Sequence, residues 1–149
     1  MAGLIVPIDH VTITVADLAR SAAFYDAALG ALGLRRTVEL GDEEEDDAAV
    51  EAIAWGEPER GEPERGEPER GEPERAAVWL VAGTRPTSGL HVCLRARTRA
   101  DVEAFHDAAL DAGGRSHDAP RRWPIFRAGE FNAIVLDPDG NLIEAVAPE

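Results

Sequence analysis

The chain has 149 residues, 44% of them hydrophobic, which is enough for a single globular domain with its own core. Its net charge of −14 arises mainly in residues 42–47 and 56–75, and no basic stripe is available to meet phosphates, which argues against a nucleic-acid partner. No apolar run of about 18 residues, no secretory signal and a single cysteine predict a cytoplasmic protein with no membrane partner.

The first predicted elements are a strand and a helix. Residues 8–15 alternate between apolar and polar side chains, which predicts a half-buried strand with Val11, Ile13 and Val15 on one face and His10, Thr12 and Thr14 on the other. Asp17 stands at an N-cap position before a helix that runs to about Leu32, and Gly33 terminates it. The apolar stripe of this helix comprises Leu18, Ala22, Tyr25, Leu29 and Leu32.

Three strands are predicted to follow, near residues 35–40, 48–55 and 76–82. The last two are separated by residues 56–75, which read GEPER four times and have no apolar side chain to bury. A proline at every fifth position forbids a continuous helix or a central strand. We interpret residues 41–75 as an acidic, low-complexity insertion that forms an exposed loop. A docking segment for a basic partner is the alternative interpretation.

A second, less obvious repeat relates the two halves of the chain. With an offset of 81 residues, the segment 10–33 aligns with 91–114 without a gap. The His-Val pair and the Phe-x-Asp-Ala-Ala-Leu block recur at equivalent positions, which composition alone does not produce. We therefore expect two modules with the same local fold.

The second half repeats the element pattern of the first. A strand is predicted over residues 90–96, Thr98 is the N-cap of a helix that runs to about Ala112, and two glycines end that helix. Three more strands are predicted near residues 115–117, 130–136 and 141–147. The segment Asp-Pro-Asp-Gly-Asn between the last two is a strong hairpin signal.

These elements predict an α+β protein of two duplicated βαβββ modules in one domain, residues 1–149. Module 1 covers about residues 5–83, including the insertion, and module 2 covers about residues 88–149. The helices cover one face of each sheet, so the opposite faces are expected to form a curled, cup-shaped mixed sheet with the helices outside. The polar side chains of the first strands then face inward, as in a binding site.

The sequence resembles the vicinal oxygen chelate superfamily, which includes glyoxalase I, fosfomycin-resistance proteins, bleomycin-binding proteins and extradiol dioxygenases. The resemblance lies in IDHVTITVADLARSAAFYDAALGALGL at 8–34, HVCLRA at 91–96, AFHDAALDAGG at 104–114 and VLDPDGNLIEAV at 135–146. It covers nearly the whole chain outside about 41–75. It implies the fold and the superfamily, and it does not single out one reaction.

In metal-using members of this superfamily, the first and last strands of each module supply the metal ligands. The resemblance therefore implies His10, His91 and Glu144 as ligands of a divalent ion, which could be Mn, Fe, Ni or Zn. Two imidazoles and one carboxylate can hold such an ion and leave positions open for substrate. Glu144 also has suitable parity, because it shares a strand face with Leu142 and Val146. Structural histidines and a solvent-exposed glutamate are the alternative interpretation.

The last strand of module 1 departs from the pattern. It reads AAVWLVA at 76–82, so Trp79 or Leu80 stands where glyoxalase I places a carboxylate ligand. This departure disfavours glyoxalase I chemistry and leaves three ligands.

Candidate substrate-binding residues surround the expected ligands. Thr12 and Cys93 are expected to lie on the inward faces of their strands. The default interpretation of Cys93 is a buried, inert thiol. Arg122, Trp123 and Phe126 lie in a predicted loop that borders the cup, where a guanidinium could clamp an anionic substrate and an aromatic ring could form a wall. A solvated loop with one packed aromatic residue is the alternative.

The leading functional hypothesis is a divalent-metal-dependent enzyme acting on a small oxygen-bearing substrate, as a lyase, a transferase or a dioxygenase. The alternative is a metal-free protein that binds a small molecule such as an antibiotic and confers resistance. The resemblance also implies a homodimer, because members of the superfamily often complete the cup across two chains.

Overall fold

The computed structural model describes residues 7–41, 50–58, 75–123 and 129–148. Phe126, the acidic run 42–47 and most of the GEPER segment, for which roles were predicted above, lie outside these residues. Within these described ranges, each module contains four strands and one helix. Module 1 comprises β1 (Val11–Val15), α1 (Leu18–Ala31), β2 (Arg35–Leu40), β3 (Ala52–Gly56) and β4 (Ala76–Ala82). Module 2 comprises β5 (His91–Arg95), α2 (Arg99–Asp111), β6 (Arg115–Arg122), β7 (Phe131–Leu136) and β8 (Leu142–Ala147).

The strands form two four-stranded mixed sheets with the same topology. The first sheet has the order β1-β4-β3-β2 and the second has the order β5-β8-β7-β6. In each sheet the first and last strands of the module pair in parallel, whereas the other neighbours are antiparallel. The predicted α+β fold of two duplicated βαβββ modules is confirmed. The two sheets are not closed into a barrel.

Helix α1 begins and ends as the sequence predicts. The Asp17 side chain accepts a hydrogen bond from the backbone N–H of Arg20 at 3.0 Å, and Gly33 follows the helix with a φ of 87° that favours glycine. The predicted stripe residues Ala22, Tyr25 and Leu29 are buried. The buried face is wider than that stripe, because Ser21, Phe24 and Ala28 are buried as well.

Helix α2 carries a stronger cap. The Thr98 hydroxyl accepts a hydrogen bond from the backbone N–H of Asp101, and the Asp101 carboxylate accepts one from the backbone N–H of Thr98. The two helices pack against each other, and buried side chains of both modules form one hydrophobic cluster. Within the described part of the chain, no helix is long and apolar enough to cross a membrane.

A buried hydrogen bond joins the two modules. The Tyr25 hydroxyl of α1 donates to the Asp137 carboxylate at the β7–β8 turn over 2.7 Å. Asp137 also accepts hydrogen bonds from the backbone N–H groups of Asp139 and Asn141 and from the Asn141 amide, which fixes the predicted hairpin. Burial, followed by the nearby Asp137 charge, raises the pKa of Tyr25 far above its usual range, so the phenol remains a donor.

In module 1, one carboxylate ties the helix to the sheet. Asp26 of α1 accepts hydrogen bonds from the Arg36 guanidinium and from the Trp55 indole N–H. Partial burial alone would raise the pKa of Asp26, but the hydrogen bonds from Arg36 and Trp55 outweigh burial and hold that pKa below its usual range. Trp55 is therefore on the helix side of β3, and strand alternation turns Ala54, which is also fully buried, to the opposite face.

Strand β6 is longer than predicted. The sequence suggested residues 115–117, whereas the strand runs over Arg115–Arg122 with register irregularities on both sides of Asp118. Because β6 is the edge strand of its sheet, Pro120 costs no hydrogen bond to a further neighbour. The arginine pair that ends in Arg122 therefore belongs to a strand, and its predicted position in a loop is wrong.

Candidate functional site

The open face of the second sheet carries the candidate site. Helix α2 covers one face, where Val135, Ile143 and Ala145 are fully buried. Strand alternation turns the neighbouring side chains to the other face. There they surround a cavity of about 360 Å³, called here the second-sheet cavity, which is lined by His91, Cys93, Trp123, Glu130, Asn132, Ile134, Glu144 and Val146.

A histidine–carboxylate pair lies at the centre of this lining. The Nε2 atom of His91, at the start of β5, is 2.8 Å from Oε2 of Glu144 in the adjacent strand β8. The other carboxylate oxygen, Oε1, accepts a hydrogen bond of 2.8 Å from the side-chain amide of Asn132 in β7. The His91 side chain is 48% exposed and that of Glu144 is 14% exposed. A solute can therefore reach the His91 side chain, whereas the Glu144 carboxylate is mostly buried and is held by Asn132.

The spacing of this pair suits two neighbouring ligands of one metal ion. With metal–ligand bonds of about 2.1 Å, adjacent donors of an octahedral ion lie about 3 Å apart. The separation of 2.8 Å between Nε2 of His91 and Oε2 of Glu144 is close to that value. Among residues 7–41, 50–58, 75–123 and 129–148, however, no three His, Cys, Asp or Glu side chains are grouped so that they could hold an ion. A single chain therefore brings together two of the three predicted ligands, His91 and Glu144.

The third predicted ligand, His10, lies on the other sheet. It precedes β1, its Nδ1 atom is 2.7 Å from the Asp9 carboxylate, and its ring meets the Trp79 ring edge-on with centroids 6.5 Å apart. Strand register now identifies the residue equivalent to Glu144. Thr12 pairs with Trp79 as Cys93 pairs with Glu144. Since Thr12 and Cys93 are equivalent in the duplication, Trp79 and not Leu80 occupies the carboxylate position of module 1.

The predicted site residues thus fall into groups. The second-sheet cavity brings together His91, Cys93, Trp123 and Glu144, whereas Thr12 lies on the open face of the first sheet and His10, just before β1, meets Trp79 on that face. Arg122 is the last residue of β6, and it is not one of the described residues that line the second-sheet cavity. The assignment of these residues to a metal or a substrate stays a prediction.

Four lining residues were missed in the sequence: Glu130, Asn132, Ile134 and Val146. The parity of the predicted strands could have identified three of them. Val146 is two residues beyond Glu144, Ile134 pairs directly with Glu144, and Asn132 pairs with Val146. The sequence analysis did not predict the antiparallel register of β7 and β8, which depends on the length of the hairpin. That register is what places Asn132 and Ile134 beside β8.

The wall of the cavity combines an aromatic ring with aliphatic side chains. The Arg121 guanidinium lies 4.6 Å from the centroid of the Trp123 ring and 3.5 Å from the Asp118 carboxylate. Its stacking on one side of the indole holds the ring in place. With Ile134 and Val146, the indole gives the cavity an apolar part beside its polar lining residues, a combination that is common in small-molecule sites.

Comparisons with known proteins agree with this architecture. A family model described as the Glyoxalase/Bleomycin resistance protein/Dioxygenase superfamily matches residues 7–145. A solved glyoxalase/bleomycin resistance protein from Albidiferax ferrireducens T118 is 22% identical, with a TM-score of 0.68 and coverage of 95% of this chain and 98% of that chain. Glyoxalase I from Zea mays is 17% identical, with a TM-score of 0.62 and coverage of 95% of this chain and 46% of its own. The chain therefore spans about half of the maize protein.

A glyoxylase/bleomycin resistance protein/dioxygenase domain from Frankia sp. EAN1pec is 15% identical, with a TM-score of 0.61 and coverage of 100% of this chain and 99% of that chain. No curated protein matches. At these identities, the similarities to solved structures show the fold alone.

Proposed function

The chain belongs to the Glyoxalase/Bleomycin resistance protein/Dioxygenase superfamily, and from that membership we propose that it is a divalent-metal-dependent enzyme acting on a small oxygen-bearing substrate in the second-sheet cavity. The observation that carries the proposal is the pairing of His91 with Glu144, with their facing atoms 2.8 Å apart on the wall of a cavity that Trp123, Ile134 and Val146 also line.

In this proposal, the residues that line the cavity have two separate roles. His91 and Glu144 hold the ion, while Trp123, Ile134 and Val146 exclude water from the substrate and set its orientation. When bound, the ion supplies Lewis-acid polarisation of the adjacent substrate oxygens. Because His91 is partly exposed, substrate can approach the site from that side.

A second copy of the chain completes the ligand set in this proposal. His10 lies on the open face of the first sheet, and His91 and Glu144 lie on the open face of the second, so a single chain offers the two parts of the set on separate sheets. The open face of the first sheet also includes Leu40, a side chain that is 49% exposed and would gain from burial against a partner. In a homodimer the partner subunit's His10 then faces the pair in the second-sheet cavity. The single cysteine continues to favour the cytoplasm.

One observation favours a second candidate function, a metal-free protein that binds a small molecule. In module 1, Trp79 stands at the carboxylate position and the neighbouring His10 is already hydrogen-bonded to Asp9. An aromatic ring beside a histidine is suited to holding a flat organic molecule without an ion. In this alternative the ligand is held against Trp79 and His10 on the open face of the first sheet, and no reaction follows.

Metal titration distinguishes the two candidates. Apoprotein is titrated calorimetrically with Mn, Fe(II), Ni and Zn salts, and the wild type is compared with His91→Ala and Glu144→Gln. His117→Ala is the matched control, because His117 also pairs with a carboxylate, that of Asp118 at 2.9 Å, has the same side-chain exposure of 48%, and lies away from the cavity.

The proposal predicts near-stoichiometric metal in the wild type and in His117→Ala, and a loss of affinity of at least about a hundredfold in the two site variants. If the wild type and the site variants bind metal equally, or none binds it, the enzyme proposal is wrong. Saturable binding of aromatic ligands by metal-free protein would then support the second candidate.

A further inference from the structure

We propose that Asn132 is a positioning residue of the site, which holds the Glu144 carboxylate so that only its Oε2 atom is presented to the ion and to His91. The proposal rests on the proposed function for the identity of the ion, but its structural part does not depend on metal. Asn132 is 7% exposed, lies on β7 and lines the second-sheet cavity next to Glu144.

The hydrogen bond fixes the orientation of both side chains. The Asn132 amide N–H₂ donates to Oε1 of Glu144 over 2.8 Å, while Oε2 of Glu144 faces His91 over 2.8 Å. Flipping the amide would put its oxygen 2.8 Å from a carboxylate oxygen, with two acceptors facing each other. The amide orientation is therefore determined by Glu144, and the two oxygens of Glu144 have separate partners.

The energetic cost of this arrangement argues for a role beyond folding. Within the described part of the chain, Oδ1 of Asn132 is buried and has no hydrogen-bond partner. An unpaired buried acceptor is unfavourable, so a residue selected only for packing would be apolar. Module 1 provides an internal comparison. Ala52 pairs with Val81 as Asn132 pairs with Val146, so the equivalent place in the module that lacks the carboxylate is filled by alanine.

The consequence is a glutamate that coordinates through one oxygen. Because Oε1 is engaged by Asn132, a two-oxygen chelate would require that hydrogen bond to break, whereas coordination through Oε2 would replace only its contact with His91, which is itself a proposed ligand. One fewer position on the ion is taken by protein, which leaves more positions for the vicinal oxygens of a substrate. A carboxylate freed from Asn132 could rotate away from His91 about its terminal side-chain torsion.

The test replaces Asn132 by leucine, which has the same branched arrangement of side-chain heavy atoms and no hydrogen-bonding group. Ile134→Val is the matched control, because Ile134 lines the same cavity, neighbours Glu144 directly and makes no polar contact with it. Calorimetry with Mn(II) is expected to show a 10- to 100-fold loss of affinity in Asn132→Leu and less than a threefold change in Ile134→Val, as is typical when a partner of a ligating carboxylate is removed. Equal affinities in the two variants would overturn the proposal.

A crystal structure of metal-free Asn132→Leu tests the structural part independently. The expected result is that Glu144 adopts a different terminal rotation or several conformers, and that the hydrogen bond of Oε2 to His91 is lost in a correctly folded protein. If Glu144 still faces His91 as in the wild type, the proposal is wrong even if metal binding is weakened. If the wild type binds no metal but this rearrangement occurs, the positioning role stands and the proposed enzymatic function fails.

Discussion

Replacing Tyr25 by phenylalanine removes a single oxygen from the junction between the modules. In the wild type this oxygen donates to Oδ2 of Asp137 at 2.7 Å, across 112 positions of the chain. The ring remains, and with it the packing against Phe24 and Trp55. The substitution therefore isolates the hydrogen bond from the burial of the ring.

The expected loss is about 2 kcal/mol in the free energy of unfolding. A hydrogen bond to a charged group contributes about 1.5–3 kcal/mol, and its loss leaves part of a buried carboxylate unpaired. Asp137 is 3% exposed, so water cannot readily replace the donor. The estimate stays below the upper end because Asn141 and the backbone N–H of Asp139 still donate to the carboxylate.

The pH dependence provides an internal check with a definite sign. The pKa of Tyr25 is raised in the folded protein, so the unfolded chain loses its phenolic proton first, above about pH 10. The stabilisation is fully present below that pH and is lost as the pH rises above it, by about 1.4 kcal/mol per pH unit. Tyr25 is the only tyrosine, and all 15 basic residues are arginine, so little else titrates in this range.

Urea denaturation at a fixed protein concentration, from pH 7 to pH 11, measures both effects. The wild type should exceed Tyr25→Phe by about 2 kcal/mol at pH 7, and the difference should shrink above pH 10. A difference below about 0.5 kcal/mol at pH 7 would refute the reasoning. So would a difference that stays constant up to pH 11, because the phenol would then not be protected from ionisation in the fold.

Two further predictions concern a glycine contrast and the module 1 carboxylate position. Gly114→Ala should destabilise the fold by about 1–3 kcal/mol, because a Cβ atom there would lie 2.7 Å from a backbone carbonyl and 2.5 Å from the Phe24 ring. Gly30→Ala, in α1 with no atom within 4 Å of the new Cβ, should stabilise it by about 0.5–1 kcal/mol, and thermal unfolding that ranks the two variants in the opposite order would contradict this account. Trp79→Glu should raise Mn(II) affinity in calorimetry, because it restores a carboxylate at the module 1 position, whereas Val81→Glu on the same strand face should not. Equal affinities in these two variants would show that Trp79 does not occupy a ligand position.

Much of the fold was predictable because it rests on local patterns. The caps at Asp17 and Thr98 and the glycine after each helix are read directly from residue type, and both helices begin as predicted. The bounds of β4, Ala76–Ala82, agree with the prediction from its apolar run. Strand β6 was predicted too short, because a charged edge strand that includes Pro120 shows neither alternation nor β-branched residues.

The candidate site was predictable only in part, because it depends on register between strands distant in sequence. Parity placed Glu144 on the correct face, and the pairing of Cys93 with Glu144 follows from the duplicated parallel strands. The role of Asn132 was missed, since nothing local distinguishes it from any polar strand residue. The meeting of His10 with His91 and Glu144, which the resemblance implies, depends on the relative placement of two sheets, and local sequence patterns do not contain that information.

In the proposed homodimer, one site is built from the His10 of one subunit and the His91–Glu144 pair of the other. Mixing His10→Ala and Glu144→Gln subunits tests this arrangement most directly. Each variant alone should bind almost no metal, whereas heterodimers formed by refolding a mixture should regain one metal ion per dimer, because one of the two shared sites then has every ligand intact. If the mixture binds no more metal than the separate variants, the ligands do not come from two subunits and the account is contradicted.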